Sequence, residues 1–374
     1  MTTTDIRPFT VEIAQAEVDD LQRRLVATRF APAAPGDTWD YGTPESYLRD
    51  MVGRWQRSDW RAEEARINAR PNFLTDIDGQ TIHFVHVRSA VEGATPLLLA
   101  HTYPGSFTEL LDLIDPLVDP VAHGGSEADA FHVVIPSMPG FGFSTPVADG
   151  GWTMARVART YDTLMRRLGY DSYGVHGSDA GAMIGRELAV LDPEGFLGAH
   201  VLQLFSFPTG AEGEMDGFGP EEYAALAHLQ WFQSVGGYNA MNGSRPQTIG
   251  AALADSPVGT LAYSELLESF GNGTSLVTPE QVIAQASLYW LTNTYASAAR
   301  YHFEEGRSGA EPVVSRGRIG VAVFKDDFQT IRAFAERDNA NIQHWATYPR
   351  GGHFAALEVP EDVVADLRVF FARS

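Results

Sequence analysis

The sequence predicts an α/β protein built on a mostly parallel sheet with helices on both faces. Short apolar runs of strand length alternate with amphipathic stretches of helical spacing along much of the chain. One strand–helix junction, Val175-His176-Gly177-Ser178-Asp179-Ala180-Gly181-Ala182, carries glycines two residues either side of an aspartate. That is the small–x–nucleophile–x–small spacing of a strained strand–turn–helix elbow. Side chains able to do chemistry, Asp179, Asp326, Asp327 and His353, fall just after predicted strands, and in such sheets the site lies at the strands' carboxyl ends.

The chain has 374 residues, enough for one large domain with an insertion or for two modest ones. A hydrophobic content of 44% supports a sizeable core, and a formal net charge of −21 argues against nucleic acid or an anionic membrane as partner. There is no cysteine, which excludes disulfides, a thiolate metal site and a thiol nucleophile. The opening Met1-Thr2-Thr3-Thr4-Asp5 has neither a basic start nor an apolar centre, and no apolar run reaches membrane-spanning length. A cytoplasmic protein is expected, either monomer or homodimer.

Residues 1–75 read as an amphipathic helical region broken at 32–37 and near Asp59-Trp60, with Val18, Leu21, Leu25 and Phe30 at helical spacing. Its aromatic residues Trp39, Tyr47, Trp55 and Trp60 are expected to pack on a neighbouring surface. Strands follow at 81–87, after the Asp78-Gly79 turn, and at 97–100. The turn His101-Thr102-Tyr103-Pro104-Gly105-Ser106 leads into a helix over 107–117. A strand at 131–135, a loop at 136–144, a helix at 153–168 and the elbow strand at 173–176 come next. The elbow helix runs over 180–191 and stops at Asp192-Pro193, and 201–207 reads as a further strand. Residues 209–312 change character, helical and rich in Ala, Gly and Tyr, and are expected to form a cap over the sheet edge. Strands at 319–324 and 342–348, a loop Gly351-Gly352-His353-Phe354 and a helix over 361–372 close the chain. The core is thus assigned to 76–208 and 313–374.

At the elbow, a serine centre would need a small residue at position 176, and His176 is too large, which disfavours a serine esterase. Centred on Asp179 the spacing fits, and a carboxylate is already ionised at pH 7 and can displace at an sp3 carbon, forming an ester. The competing reading is an Asp helix N-cap in a glycine-rich turn. An ester intermediate needs a base for water and an acid to orient that base. His353 stands after the last strand, and Asp327, with Asp326 as alternate, follows the strand before it, in the order nucleophile, acid, base. The N–H groups of Tyr103 and Ala180 are the expected oxyanion donors.

These residues resemble the epoxide hydrolases of the microsomal type, on the α/β-hydrolase fold. The likeness runs over nearly the whole chain and rests on Trp39-Asp40-Tyr41-Gly42-Thr43-Pro44, on 60–68, on Gly140-Phe141-Gly142-Phe143-Ser144, on 245–250 with 255–259, and on Gly351-Gly352-His353-Phe354-Ala355-Ala356-Leu357-Glu358. It implies that residues 1–75 wrap the catalytic domain and that Asp179, Asp327 and His353 form the triad. It also implies two proton-donating groups in the cap: Tyr238, and Tyr301 with His302 as alternate. No metal or organic cofactor is implied, and the partner is a small-molecule epoxide. The family usually has Gly where Thr102 stands and a bulky aromatic where Ala180 stands. Both changes are expected to reshape the pocket, and Ala180 to admit a larger epoxide, such as a natural-product intermediate. The alternatives are a haloalkane dehalogenase-like hydrolase, disfavoured by the missing aromatic at Ala180, and a non-catalytic ligand-binding relative.

Overall fold

The computed structural model describes residues 5–372, so the opening residues 1–4 read above lie outside it. Nine strands form one twisted sheet: β1 (Arg7–Phe9), β2 (Asn72–Ile77), β3 (Gln80–Val87), β4 (Thr95–Ala100), β5 (Phe131–Pro136), β6 (Tyr173–Gly177), β7 (Phe196–Val201), β8 (Ile319–Asp326) and β9 (Ile342–Gly352). Their spatial order is β1-β2-β3-β5-β4-β6-β7-β8-β9. From β5 across to β9 every pairing is parallel, and β1, β2 and β3 add an antiparallel flank. This is the α/β-hydrolase fold.

Period-two alternation buries both faces. Along β4, Leu98 and Ala100 join one cluster with Val175, Tyr161 and Ile184, while Leu97 and Leu99 join the opposite cluster with Val133, Phe131 and Leu367. β4 and β6 are central and run parallel with Ala100 beside Gly177. Their carboxyl ends therefore open side by side, and the loops after them share one edge of the sheet.

The N-terminal stretch is not wholly helical. Helices Gln15–Val26, Glu45–Arg57 and Trp60–Asn68 fit the expected breaks, but β1 and β2 extend the sheet. The 201–207 run is also misassigned as a strand: β7 ends at Val201, and Leu202 keeps only a bond to the Gly177 carbonyl. Leu202, Gln203 and Leu204 are buried without a strand to pair with, while Phe207 is exposed. In the other direction, β9 runs further than expected, because Gly352 pairs with Asp326 and so belongs to the sheet rather than to a loop.

Between β7 and β8 the chain is helical, including Pro220–Val235, Gly237–Ser244, Pro246–Leu253, Pro257–Tyr263, Pro279–Thr292 and Tyr295–Glu305. These helices touch the loops at the sheet's carboxyl edge: Tyr289 donates to the Gly105 carbonyl at 2.8 Å, and Ser297 to the Gly140 carbonyl at 2.6 Å. The N-terminal helices cover them from outside. Leu21, Leu25, Met51, Val52 and Trp55 share a core with Leu261, Leu267, Ile283 and Ala286. Trp55 donates its indole N–H to Ser287 at 2.8 Å, which gives the buried ring its polar partner. No helix among the described residues is long and apolar enough to cross a membrane.

Candidate active site

The elbow is as crowded as its spacing requires. A Cβ at Gly177 would lie 2.1 Å from the Gly181 carbonyl oxygen, and a Cβ at Gly181 would lie 2.1 Å from that of Ala100. Asp179 sits at φ +51°, ψ −117°, a region costly for any residue with a side chain. It precedes the helix Ala180–Leu191, yet its side chain makes no capping hydrogen bond to that helix. The carboxylate is instead turned toward the sheet's carboxyl edge. Its Oδ2 accepts the Tyr103 N–H at 2.9 Å, and the adjoining Ala180 N–H helps to lower its pKa. The two backbone donors expected at an oxyanion thus converge on one carboxyl group.

His353 and Asp327 complete the cluster. The imidazole Nδ1 lies 2.8 Å from Asp327 Oδ1, and Nε2 lies 3.9 Å from Asp179 Oδ1 with no hydrogen-bond partner of its own. Asp326 lies one residue earlier, at the end of β8, where it pairs with Gly352; the imidazole bond goes to Asp327. Burial alone would lower the His353 pKa, but the charges of Asp327, which also accepts its hydrogen bond, of Asp179 and of Glu358 raise it to about 9. Burial raises Asp179, against the pull of His353 and of the Tyr103 and Ala180 N–H groups.

A cavity of about 120 Å3 opens over Asp179, Asp327 and His353. Its walls are largely aromatic, with Phe205, Trp231, Phe232, Phe270 and Phe328 around Tyr238. Tyr238 stacks on Tyr103 with ring centroids 5.9 Å apart. Tyr301 meets the same Tyr103 ring edge-on at 5.7 Å and borders a separate cavity with Trp152 and Arg300. Burial raises both phenols, and the Asp179 charge raises both further, which keeps them protonated beside it. His302 packs edge-on against Tyr103 at 4.8 Å. Burial lowers it to about 4.

Thr102 and Ala180, the two substitutions expected to reshape the pocket, sit differently beside the nucleophile. Thr102 does not face the cavity: its N–H and its hydroxyl each donate to Glu109, at 2.8 Å. A buried hydroxyl needs a partner, and this carboxylate supplies one. Burial pushes Glu109 up to about 7. Gly105 makes room for it, since a Cβ there would collide with the Glu109 carboxylate at 1.7 Å. Ala180 is wholly buried and contributes its N–H. Sequence reading missed Glu109 and the buried Gln203, whose side chain accepts the Asp179 N–H at 2.6 Å. Neither residue lies in a motif, and only the folded chain brings them to the turn. Among the described residues no group of three or more His, Asp or Glu side chains is placed to hold a metal ion.

Comparison with known proteins gives the same picture from outside. Residues 6–110 match the family described as epoxide hydrolase N terminus, and residues 95–226 match the alpha/beta hydrolase fold family. A putative epoxide hydrolase of Stigmatella aurantiaca is 41% identical over 376 residues, covering 98% of this chain and 84% of that protein. Epoxide hydrolase 1 of Sus scrofa is 31% identical over 402 residues, covering 98% of this chain and 88% of its own. Among solved structures, the juvenile hormone epoxide hydrolase of the silkworm Bombyx mori superposes with a TM-score of 0.88 at 27% identity, covering 99% of this chain and 94% of that one. The epoxide hydrolase of Aspergillus niger gives 0.83 at 29% identity, covering 99% and 96%.

Proposed function

The chain belongs to the epoxide hydrolases that join an N-terminal region of their own to an α/β-hydrolase domain, and from that premise we propose that it converts an epoxide and water to a vicinal diol through an ester on Asp179. One observation carries the reading. A single, mostly covered carboxylate accepts the Tyr103 N–H at 2.9 Å, has the Ala180 N–H beside it, and faces an unpartnered imidazole nitrogen 3.9 Å away.

In the first step an Asp179 oxygen attacks a ring carbon, the ring C–O bond breaks, and the departing oxygen takes a proton from Tyr238 or Tyr301. Tyr301 is preferred to His302, because burial holds the imidazole neutral and a neutral imidazole is a poor proton donor. In the second step His353 Nε2 takes a proton from water as the water oxygen adds to the Asp179 carboxyl carbon. The negative oxygen so formed is held by the Tyr103 and Ala180 N–H groups. Collapse breaks the ester C–O bond, the imidazolium gives its proton to the leaving oxygen to release the diol, and the proton of the new carboxyl group returns to the tyrosinate, which restores the Asp179 carboxylate and the phenol. Asp327 holds the imidazole in the tautomer this needs. The aromatic walls suit an apolar epoxide, and we expect one bulkier than the simplest members. A panel of epoxides tests that expectation, and a preference for the smallest would remove it.

The decisive experiment is His353→Gln mixed with a reactive epoxide. Without the base the first step proceeds and the second stalls, so intact mass spectrometry should find one epoxide mass added and peptide mapping should place it on Asp179. Rapid diol release with no adduct would overturn the scheme.

A further inference from the structure

We propose that Gln203, one turn of chain past the end of β7, is a positioning residue that locks the nucleophile's elbow to the acid behind the base, and so governs ester hydrolysis more than ester formation. The inference rests on the two-step reading above. Gln203 is 1% exposed, and every polar atom of its amide is engaged. Oε1 accepts the Asp179 N–H at 2.6 Å and lies 3.1 Å from the Ser178 hydroxyl. Nε2 donates to Asp327 Oδ2, the oxygen that His353 leaves free. The amide cannot be turned over, because that would set its NH2 against a backbone N–H and its oxygen against a carboxylate.

The contacts close a circuit. It runs from the Asp179 N–H through Gln203 to Asp327 Oδ2, from Asp327 Oδ1 to His353 Nδ1, and from His353 Nε2 back to Asp179 Oδ1 at 3.9 Å. The strained turn at φ +51° and the acid on a different strand are held by one side chain. Only a glutamine-sized amide meets the demand. Asparagine is one methylene short, an aliphatic side chain leaves a buried N–H and a buried carboxylate oxygen without a partner, and an ionised glutamate has no proton for Asp327.

The two contacts separate by substitution. Above the pH at which its new carboxyl ionises, Gln203→Glu keeps an acceptor for the Asp179 N–H and loses the donor to Asp327; Gln203→Met loses both at every pH. With styrene oxide as probe and rapid-quench mass spectrometry, Gln203→Glu should form the ester within about threefold of the parent rate and hydrolyse it roughly tenfold or more slowly. Ester should therefore accumulate in Gln203→Glu, and the acid limb of hydrolysis should move up by about one pH unit, because the added negative charge favours the imidazolium. Gln203→Met should slow both steps. A thermal melt of each variant and an NMR titration of the His353 ring in the resting enzyme accompany the kinetics. Equal falls in both rates that track a lowered melting temperature would reduce Gln203 to a packing residue and overturn the proposal. So would unchanged rates in Gln203→Glu, or an unmoved His353 titration. If the parent itself formed no ester with styrene oxide while its diol appeared, the two-step reading would fall instead, and the ring titration alone would judge the role of Gln203.

Discussion

Replacing Asp179 by Asn removes one charge and almost no volume, and it imitates electrically what happens when the nucleophile becomes an ester. In the resting enzyme His353 has a pKa of about 9 and is therefore an imidazolium at neutral pH. An imidazolium cannot take a proton from water. Asp179 Oδ1 lies 3.9 Å from Nε2, and two unit charges at that distance attract by about 4 kcal/mol at an effective dielectric constant of about 20, equal to about 3 pH units. Asp327 is nearer, at 2.8 Å, and dominates the upward pull. Asp179 and His353 also keep some contact with water, which weakens their share to about 1–2 units. Asp179→Asn should thus lower the His353 pKa by that amount, read directly by an NMR titration of the labelled ring. The same fall is expected on alkylation, so in the proposed scheme consuming the Asp179 charge frees the base for the second step. A His353 that still titrates near 9 in Asp179→Asn would refute the reasoning, as would ester hydrolysis whose acid limb lies at or above that value.

Other consequences are equally direct. Gly177→Ala or Gly181→Ala forces a methyl group to 2.1 Å from a backbone oxygen. Each should cost more than about 3 kcal/mol in denaturant unfolding and abolish turnover. Tyr238→Phe and Tyr301→Phe should each slow ester formation roughly a hundredfold in single-turnover kinetics while leaving hydrolysis of a preformed ester nearly unchanged. Asp366 is buried, which pushes its carboxyl up, but hydrogen bonds from His200, His344 and Tyr348 outweigh burial and hold it at about 2. A depressed carboxyl adds stability that is present above its unfolded value of 3.8 and lost as pH falls toward 2. Asp366→Asn should therefore lower stability at pH 7 by about 2 kcal/mol and flatten the acid limb of the stability curve, measured by denaturant titration across pH.

Much of this was readable in the residues, for physical reasons. The elbow announces itself because a glycine two residues either side of Asp179 is a steric necessity, and each carbonyl that a Cβ would strike is now identified. The parallel strands are legible because burial on both faces makes them continuous apolar runs. The 201–207 run shows the limit of that signal. Val201, Leu202 and Leu204 are buried as strand residues would be, but Leu204 donates its N–H to the Thr330 hydroxyl and the less buried Phe205 and Phe207 line the pocket wall. Apolar periodicity reports burial, not pairing. β1 was hidden for the opposite reason, being three residues long and paired far along the chain, Arg7 beside Leu74, whereas β2, polar in part, is the first arm of a hairpin turned at Asp78-Gly79, a signal credited only to the strand after it. Glu109 and Gln203 could not be found at all, since a buried acid or amide looks like a surface residue until the fold surrounds it. Between Asp326 and Asp327 the sequence leaves a choice of neighbours, and strand pleat decides which carboxylate meets the imidazole.

The seam between the N-terminal helices and the helices over the catalytic edge has a mechanical consequence. Trp55 is bonded to Ser287, Tyr47 donates to Glu268 at 2.8 Å, and Arg24 reaches Asp255 at 2.7 Å. The roof of the chamber is thereby riveted from above while Tyr289 and Ser297 pin it from below. A hinged swing would have to break both sets of rivets at once. Traffic of reactant and diol is left to small local movements at the rim, chiefly rotation of Phe207, which is 46% exposed at the mouth of the aromatic chamber. Where release limits turnover, trimming that one ring to alanine should raise kcat and leave the single-turnover rate of ester formation unchanged.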